Sequence, residues 1–139
     1  MKLTNRQYKA ILKKAKEANA CSEAMDILET LTPKEAIAHR CAPAWCLWYS
    51  QDVIKGRWKE AEGVIEGIPH YAYLYAKDVI KGRWKEVEGV IKKNPSCTYY
   101  YAKNVIGGRW EEAEGVIKGD HLHSKRYTEF LDELKKVDV

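Results

Sequence analysis

The stretch Asp52-Val53-Ile54-Lys55-Gly56-Arg57-Trp58-Lys59-Glu60-Ala61-Glu62-Gly63-Val64-Ile65 decides how this chain is read. It returns at Asp78–Ile91 and again at Asn104–Ile117, each time 26 residues on and without insertion. Self-similarity at a fixed period of this length is the signature of a solenoid. One unit is too small to bury its own apolar face, so neighbouring units stack on it. The clear units run Pro43–Ile68, Pro69–Asn94 and Pro95–Asp120.

Within each unit a glycine divides two helices. The first begins after a proline, whose fixed φ and missing N–H suit a first helical turn. Its apolar stripe is Cys46, Tyr49, Ser50, Val53 and Ile54 in the first unit. The second unit has Ala72, Tyr75, Ala76, Val79 and Ile80, and the third Thr98, Tyr101, Ala102, Val105 and Ile106. That spacing is one buried face of a helix. Gly56, Gly82 and Gly108 are expected to end this helix in the left-handed conformation. Trp58, Ala61, Val64 and Ile65 then form the apolar face of a shorter helix. Glu60 and Glu62 lie near its start, where carboxylates suit the positive end of the dipole. Gly63, Gly89 and Gly115 sit inside this helix. They predict a contact too close for a side chain, or an early helix end.

The flanks extend the pattern. Thr4 with Gln7 has the form of a capping box, and Tyr8, Ile11, Leu12 and Ala15 are one helical stripe, so residues 1–16 read as a basic N-terminal cap helix. Residues 17–42 read as a degenerate repeat in which Thr32-Pro33-Lys34-Glu35 marks a helix start. Tyr127 lies 26 residues after Tyr101, and Tyr127, Phe130, Leu131 and Leu134 share a face. Residues 121–139 therefore read as a C-terminal cap helix. The predicted fold is all-α: a right-handed αα solenoid of about four repeats with a capping helix at each end, forming a single domain over 1–139.

Composition narrows the function. A chain that is 45% hydrophobic and 32% charged is a folded one. No run approaches the ~18 apolar residues of a membrane span, and no apolar leader core is visible. The expectation is a cytoplasmic protein without a membrane partner. Cys21, Cys41, Cys46 and Cys97 show no disulfide framework. The spacing of His39, Cys41 and Cys46 is not that of a common zinc motif, and Cys46 falls on the core stripe. No metal or cofactor is expected. The net charge of +4 is concentrated: residues 1–20 carry six basic side chains against Glu17 alone.

The unit, written Tyr-Ala-x-Asp-Val-Ile-x-Gly-Arg-Trp-x-Glu-Ala-Glu-Gly-Val-Ile, resembles a family of short helical repeats found in bacteriophages and some bacteria. The resemblance covers residues 43–120 and is weaker on both flanks. It implies a helical array and a phage origin, and it implies no activity. By analogy with small phage proteins, it points to a partner in the host machinery, such as a defence system inhibited in the host cytoplasm in the anti-CRISPR manner.

Positions identical in every unit are expected to build the scaffold, and positions that vary are free to meet a partner. The variable aromatic residues Trp45, Trp48, Tyr71, Tyr73, Tyr99 and Tyr100 read either as packing between units or as a binding face. Lys9 and Lys13 belong to a basic stripe that is either merely solvated or able to steer an acidic protein or nucleic acid. Arg57, Arg83 and Arg109 read either as ion pairs with Asp52, Asp78 or a nearby glutamate, or as a ladder that contacts phosphates. No nucleophile motif or phosphate-cradling loop is present, and paired glutamates that recur in every unit are not a catalytic pair. The expected function is non-catalytic binding of a macromolecule, a host protein first and a nucleic acid or nucleotide second. Self-assembly is a third class, and the oligomeric state is not legible.

Overall fold

The computed structural model describes residues 1–137, and these form an all-helical protein without strands. The last two positions of the expected C-terminal helix, 138 and 139, lie outside the described residues. The chain divides into two compact units, Met1–Ile65 and Glu66–Val139.

In the first unit, α1 (Asn5–Glu17) opens on the expected capping box. The Gln7 amide donates to Thr4 Oγ1 at 3.1 Å and the Thr4 amide donates to Gln7 Oε1 at 2.8 Å. Two otherwise orphaned donors are thereby satisfied. Tyr8 and Ala15 are the buried members of its stripe. The Tyr8 hydroxyl donates to the Leu28 carbonyl at 2.7 Å, tying α1 to α2 (Ser22–Thr30). Thr32 and Glu35 form a second capping box at α3 (Pro33–Ala38), and α4 (Ala42–Tyr49) follows. Ala15, Met25 and Tyr49 are the centre of this unit, with Ile11, Leu12, Trp48 and Trp58 packed around them. Full burial of one large side chain of this kind contributes roughly 1.5–3 kcal/mol.

The end of α4 departs from the sequence expectation. Its last turn widens into a π-helix over Ser50–Ile54. The Ser50 carbonyl accepts the amides of both Lys55 and Gly56. The left-handed residue is Lys55, with φ 58°, and not Gly56. The second unit repeats this twice. α6 (Pro69–Tyr75) passes into a π-helix over Ala76–Ile80 that ends at Lys81, φ 60°. α8 (Pro95–Tyr101) passes into a π-helix over Ala102–Ile106 that ends at Gly107, φ 74°. The wide turn places the reversal one residue earlier than Gly56, Gly82 and Gly108.

The shorter helix is smaller than its apolar stripe suggested. Each copy is a 3-10 turn followed by a single α-turn: α5 (Glu62–Ile65), α7 (Glu88–Ile91) and α9 (Glu114–Lys118). A Cβ added at Gly63, Gly89 or Gly115 meets nothing within 4 Å. The expectation of a contact too close for a side chain is therefore corrected, and the early helix end stands. Ile65, Ile91 and Ile117 are fully buried. α10 (His121–Val137) closes the second unit, with Tyr127 buried. Asp120 starts it by accepting the His123 amide at 3.0 Å.

Candidate functional site

The arginines are internally paired. Arg57 Nε and Nη2 donate to the two carboxylate oxygens of Glu62 at 2.9 and 2.8 Å. Arg83 holds Glu88 with the same two distances. Arg109 holds Glu114 at 2.6 and 3.2 Å, and Lys118 approaches the same carboxylate at 3.7 Å. The partner is thus the glutamate five residues on, within the nearby-glutamate reading, while Asp78 lies beside Lys77 at 3.8 Å. A bidentate guanidinium–carboxylate pair is strong and directional. It leaves these arginines poorly placed to serve as a phosphate ladder.

In the second unit the pair is part of a larger network. Tyr101 donates its hydroxyl proton to Glu88 at 2.7 Å and accepts the Trp84 amide at 2.8 Å. Tyr127 does the same for Glu114 at 3.1 Å and the Trp110 amide at 3.0 Å. Burial pushes the Glu88 carboxyl up, but the hydrogen bonds from Arg83 and Tyr101 outweigh it and leave the group below its ordinary value. The Tyr101 hydroxyl is pushed well above its ordinary range by burial and by the adjacent carboxylate. The guanidinium, carboxylate and phenol groups of this network are paired with one another, while the buried Trp110 indole Nε1 has no hydrogen-bond partner among the described residues.

The aromatic positions divide. Tyr73 and Tyr99 are buried, at 8% and 4% exposure. Their placement on an outward binding face is corrected. Asn104 Nδ2 donates to the Tyr73 hydroxyl at 2.8 Å, and Tyr99 packs on Tyr100 with ring centroids 4.9 Å apart. Tyr71 and Tyr100 are half-buried, and Arg126 Nη1 donates to the Tyr100 hydroxyl at 3.2 Å. A polar depression beside Tyr99 and Tyr100 is edged by Lys103 and Arg126 but also by Glu129 and Glu133. Its charges cancel, which gives it no preference for an anion or a cation.

Trp45 and Trp48 lie elsewhere, in the first unit, and both are half-buried. They line an apolar hollow of about 180 Å³, partly open to solvent, walled also by Ile11, Leu12, Met25 and Leu28. Its surface is almost wholly apolar. His39 stacks on the Trp45 ring at 4.7 Å and fixes its orientation. α1, which forms one wall, exposes Lys9 and Lys13 along with Arg6, Lys14 and Lys16, and exposed Lys2 lies just before it. Among the described residues, Lys16 is the member of that set within ion-pair reach of a carboxylate, Glu29 at 3.9 Å. The structure therefore brings four of the expected residues, Trp45, Trp48, Lys9 and Lys13, into one unit. Tyr71, Tyr73, Tyr99 and Tyr100 belong to the other.

The remaining chemistry is sparse. The four cysteines are free thiols, and burial pushes Cys46 up to about 12, which makes it a poor nucleophile. His39 Nδ1 accepts the Cys41 amide at 3.0 Å. Among the described residues no group of three His, Cys, Asp or Glu side chains is close enough to hold a metal ion. No helix there is long and apolar enough to cross a membrane. The sequence had marked Ile11 and Leu12 as an apolar stripe, but Met25 and Leu28 had carried no signal of a shared hollow. Comparison with known protein families, with curated proteins and with solved structures gives no match.

Proposed function

We propose that this chain is a non-catalytic binding protein whose partner is a protein, engaged through the first unit. The observation that carries this reading is the apolar hollow lined by Trp45 and Trp48. Binding sites are typically concave and walled by apolar and aromatic side chains, and tryptophan is enriched where binding energy concentrates. The exposed cations of α1 favour an acidic partner by steering its approach. The specific version is a phage-encoded inhibitor of a host defence system, acting in the host cytoplasm. The likeness of the repeat unit to phage repeats supports it. We also infer that the 26-residue copies continue one another as a right-handed αα solenoid. The recurrence of the Arg–Glu–Tyr–Trp network in the second unit supports this. Deleting residues 69–94, one full period, should then leave a chain that melts cooperatively, whereas an unfolded product would contradict it.

The test of function compares capture from host lysate by the wild-type chain, by Trp48→Ala and by Lys9→Glu/Lys13→Glu. Both variants should lose the same captured protein while keeping their helical circular dichroism. Capture that survives both substitutions would defeat the assignment. Nucleic acid is the second reading, and the cations of α1 are the observation in its favour. Steep salt-dependent binding to a generic oligonucleotide would support it. The pairing of Arg57, Arg83 and Arg109 argues against it.

A further inference from the structure

We propose that the hollow of the first unit receives the phenyl ring of a phenylalanine, carried on an acidic segment of the protein partner. This rests on the protein-binding reading above and specifies what the partner must present.

Size gives the first constraint. An apolar protein cavity of about 150 Å³ stays dry and takes up benzene. The hollow here measures about 180 Å³. It therefore accommodates one phenyl ring and its methylene. Wall chemistry gives the second. A hydroxyl, amide or charge entering an apolar wall loses its water without gaining a partner. That disfavours tyrosine, glutamine and all ionised side chains. Among apolar side chains the lining favours an aromatic one. Trp45, Trp48, Tyr49 and Trp58 supply ring faces and edges, and Met25 and Cys46 supply sulfur.

Charge gives the third. α1 forms the wall through Tyr8, Ile11, Leu12 and Ala15. Its other faces carry exposed Arg6, Lys9, Lys13, Lys14 and Lys16. A helix with its side chains is about 10 Å across. An extended chain advances about 3.3 Å per residue. Carboxylates about three residues from the inserted ring therefore reach the cations while the ring occupies the hollow. Carboxylate and cation then lie within the Debye length of about 8 Å at physiological salt, so screening weakens their attraction without abolishing it.

The test titrates the full-length chain with a short fluorescently labelled peptide that has a central phenylalanine and glutamates three and four residues to either side. Replacing the phenylalanine by alanine should weaken binding on the order of tenfold or more, the value of burying a ring that size. Replacing the glutamates by lysines should abolish binding at low salt. Ala24→Leu fills the hollow from α2 and should weaken the parent peptide by a similar factor without lowering the melting temperature. If that variant fails to fold, Ala20→Leu fills the same space. Equal binding of the phenylalanine and alanine peptides would overturn the proposal. So would undiminished binding of the lysine peptide, or affinity unchanged by filling. A chain that captures its partner from lysate but binds none of the peptides would refute this inference and leave the protein-binding reading intact.

Discussion

Replacing Tyr101 by phenylalanine removes one oxygen and leaves the ring, which packs 4.9 Å from Trp110, in place. The oxygen makes two buried contacts, donating to Glu88 at 2.7 Å and accepting from the Trp84 amide at 2.8 Å. A hydrogen bond to a charged group contributes roughly 1.5–3 kcal/mol, and a buried amide left without a partner costs roughly 1–3 kcal/mol. The two effects share one reorganisation, so about 3 kcal/mol is expected in total. For a chain of this size that is a fall of about 10 °C in Tm. Urea unfolding of both proteins at neutral pH measures it. The gap should also depend on pH. The folded-state carboxyl of Glu88 lies below its ordinary value of 4.5. Its stabilisation is therefore complete at neutral pH and is lost as pH falls below the ordinary value through the folded one. The difference between wild type and Tyr101→Phe should narrow on the acid side. Tyr127→Phe should cost less, about 2 kcal/mol, because its contacts are longer at 3.0 and 3.1 Å and Lys118 also holds Glu114. A loss below about 1 kcal/mol for Tyr101→Phe, or a gap that ignores pH, would refute the reasoning.

Three further outcomes follow from the same geometry. Lys81 adopts φ 60°, where a side chain is strained, so Lys81→Gly should stabilise by about 1 kcal/mol in thermal unfolding, as the third copy's Gly107 already suggests. A Cβ at Gly89 enters open space, so Gly89→Ala should stabilise by roughly 0.5–1 kcal/mol; a destabilised variant would restore the steric reading. Iodoacetamide followed by mass spectrometry should label exposed Cys21 promptly and Cys46 only on unfolding, because burial pushes the Cys46 thiol up to about 12.

What was legible in the sequence was what depends on near neighbours. Thr4 with Gln7 and Thr32 with Glu35 cap their helices as expected, because the donor and acceptor lie in the same turn. The period carried Tyr127 to the place that Tyr101 holds one copy earlier, and both bind a Trp amide. The π turn at Ala76–Ile80 had no side-chain signature, since it changes only which amide meets the Ala76 carbonyl. The left-handed residue was misplaced for that reason. Pairing of Arg83 with Glu88 spans five residues across a turn, a separation that helical periodicity does not bring together. Variation between copies proved a poor guide to exposure. Tyr73 is buried, and its hydroxyl is satisfied by Asn104, the residue at which the third copy departs from aspartate. At Tyr73 the variation is matched inside the fold, whereas at Trp45 and Trp48 it falls beside an open hollow. The hollow beside Trp45 and Trp48 arises from how α1 to α4 meet, which no single stripe encodes.

Backbone amide hydrogen exchange at Trp84 and Trp110 tests most directly whether the period is a repeated physical contact. Neither amide belongs to a regular helical ladder; each is held by a tyrosine hydroxyl, at 2.8 and 3.0 Å. Both should exchange slowly in the wild-type protein, and Tyr101→Phe should release Trp84 alone. Fast exchange at either position in the wild type, or release of both by the one substitution, would contradict the account.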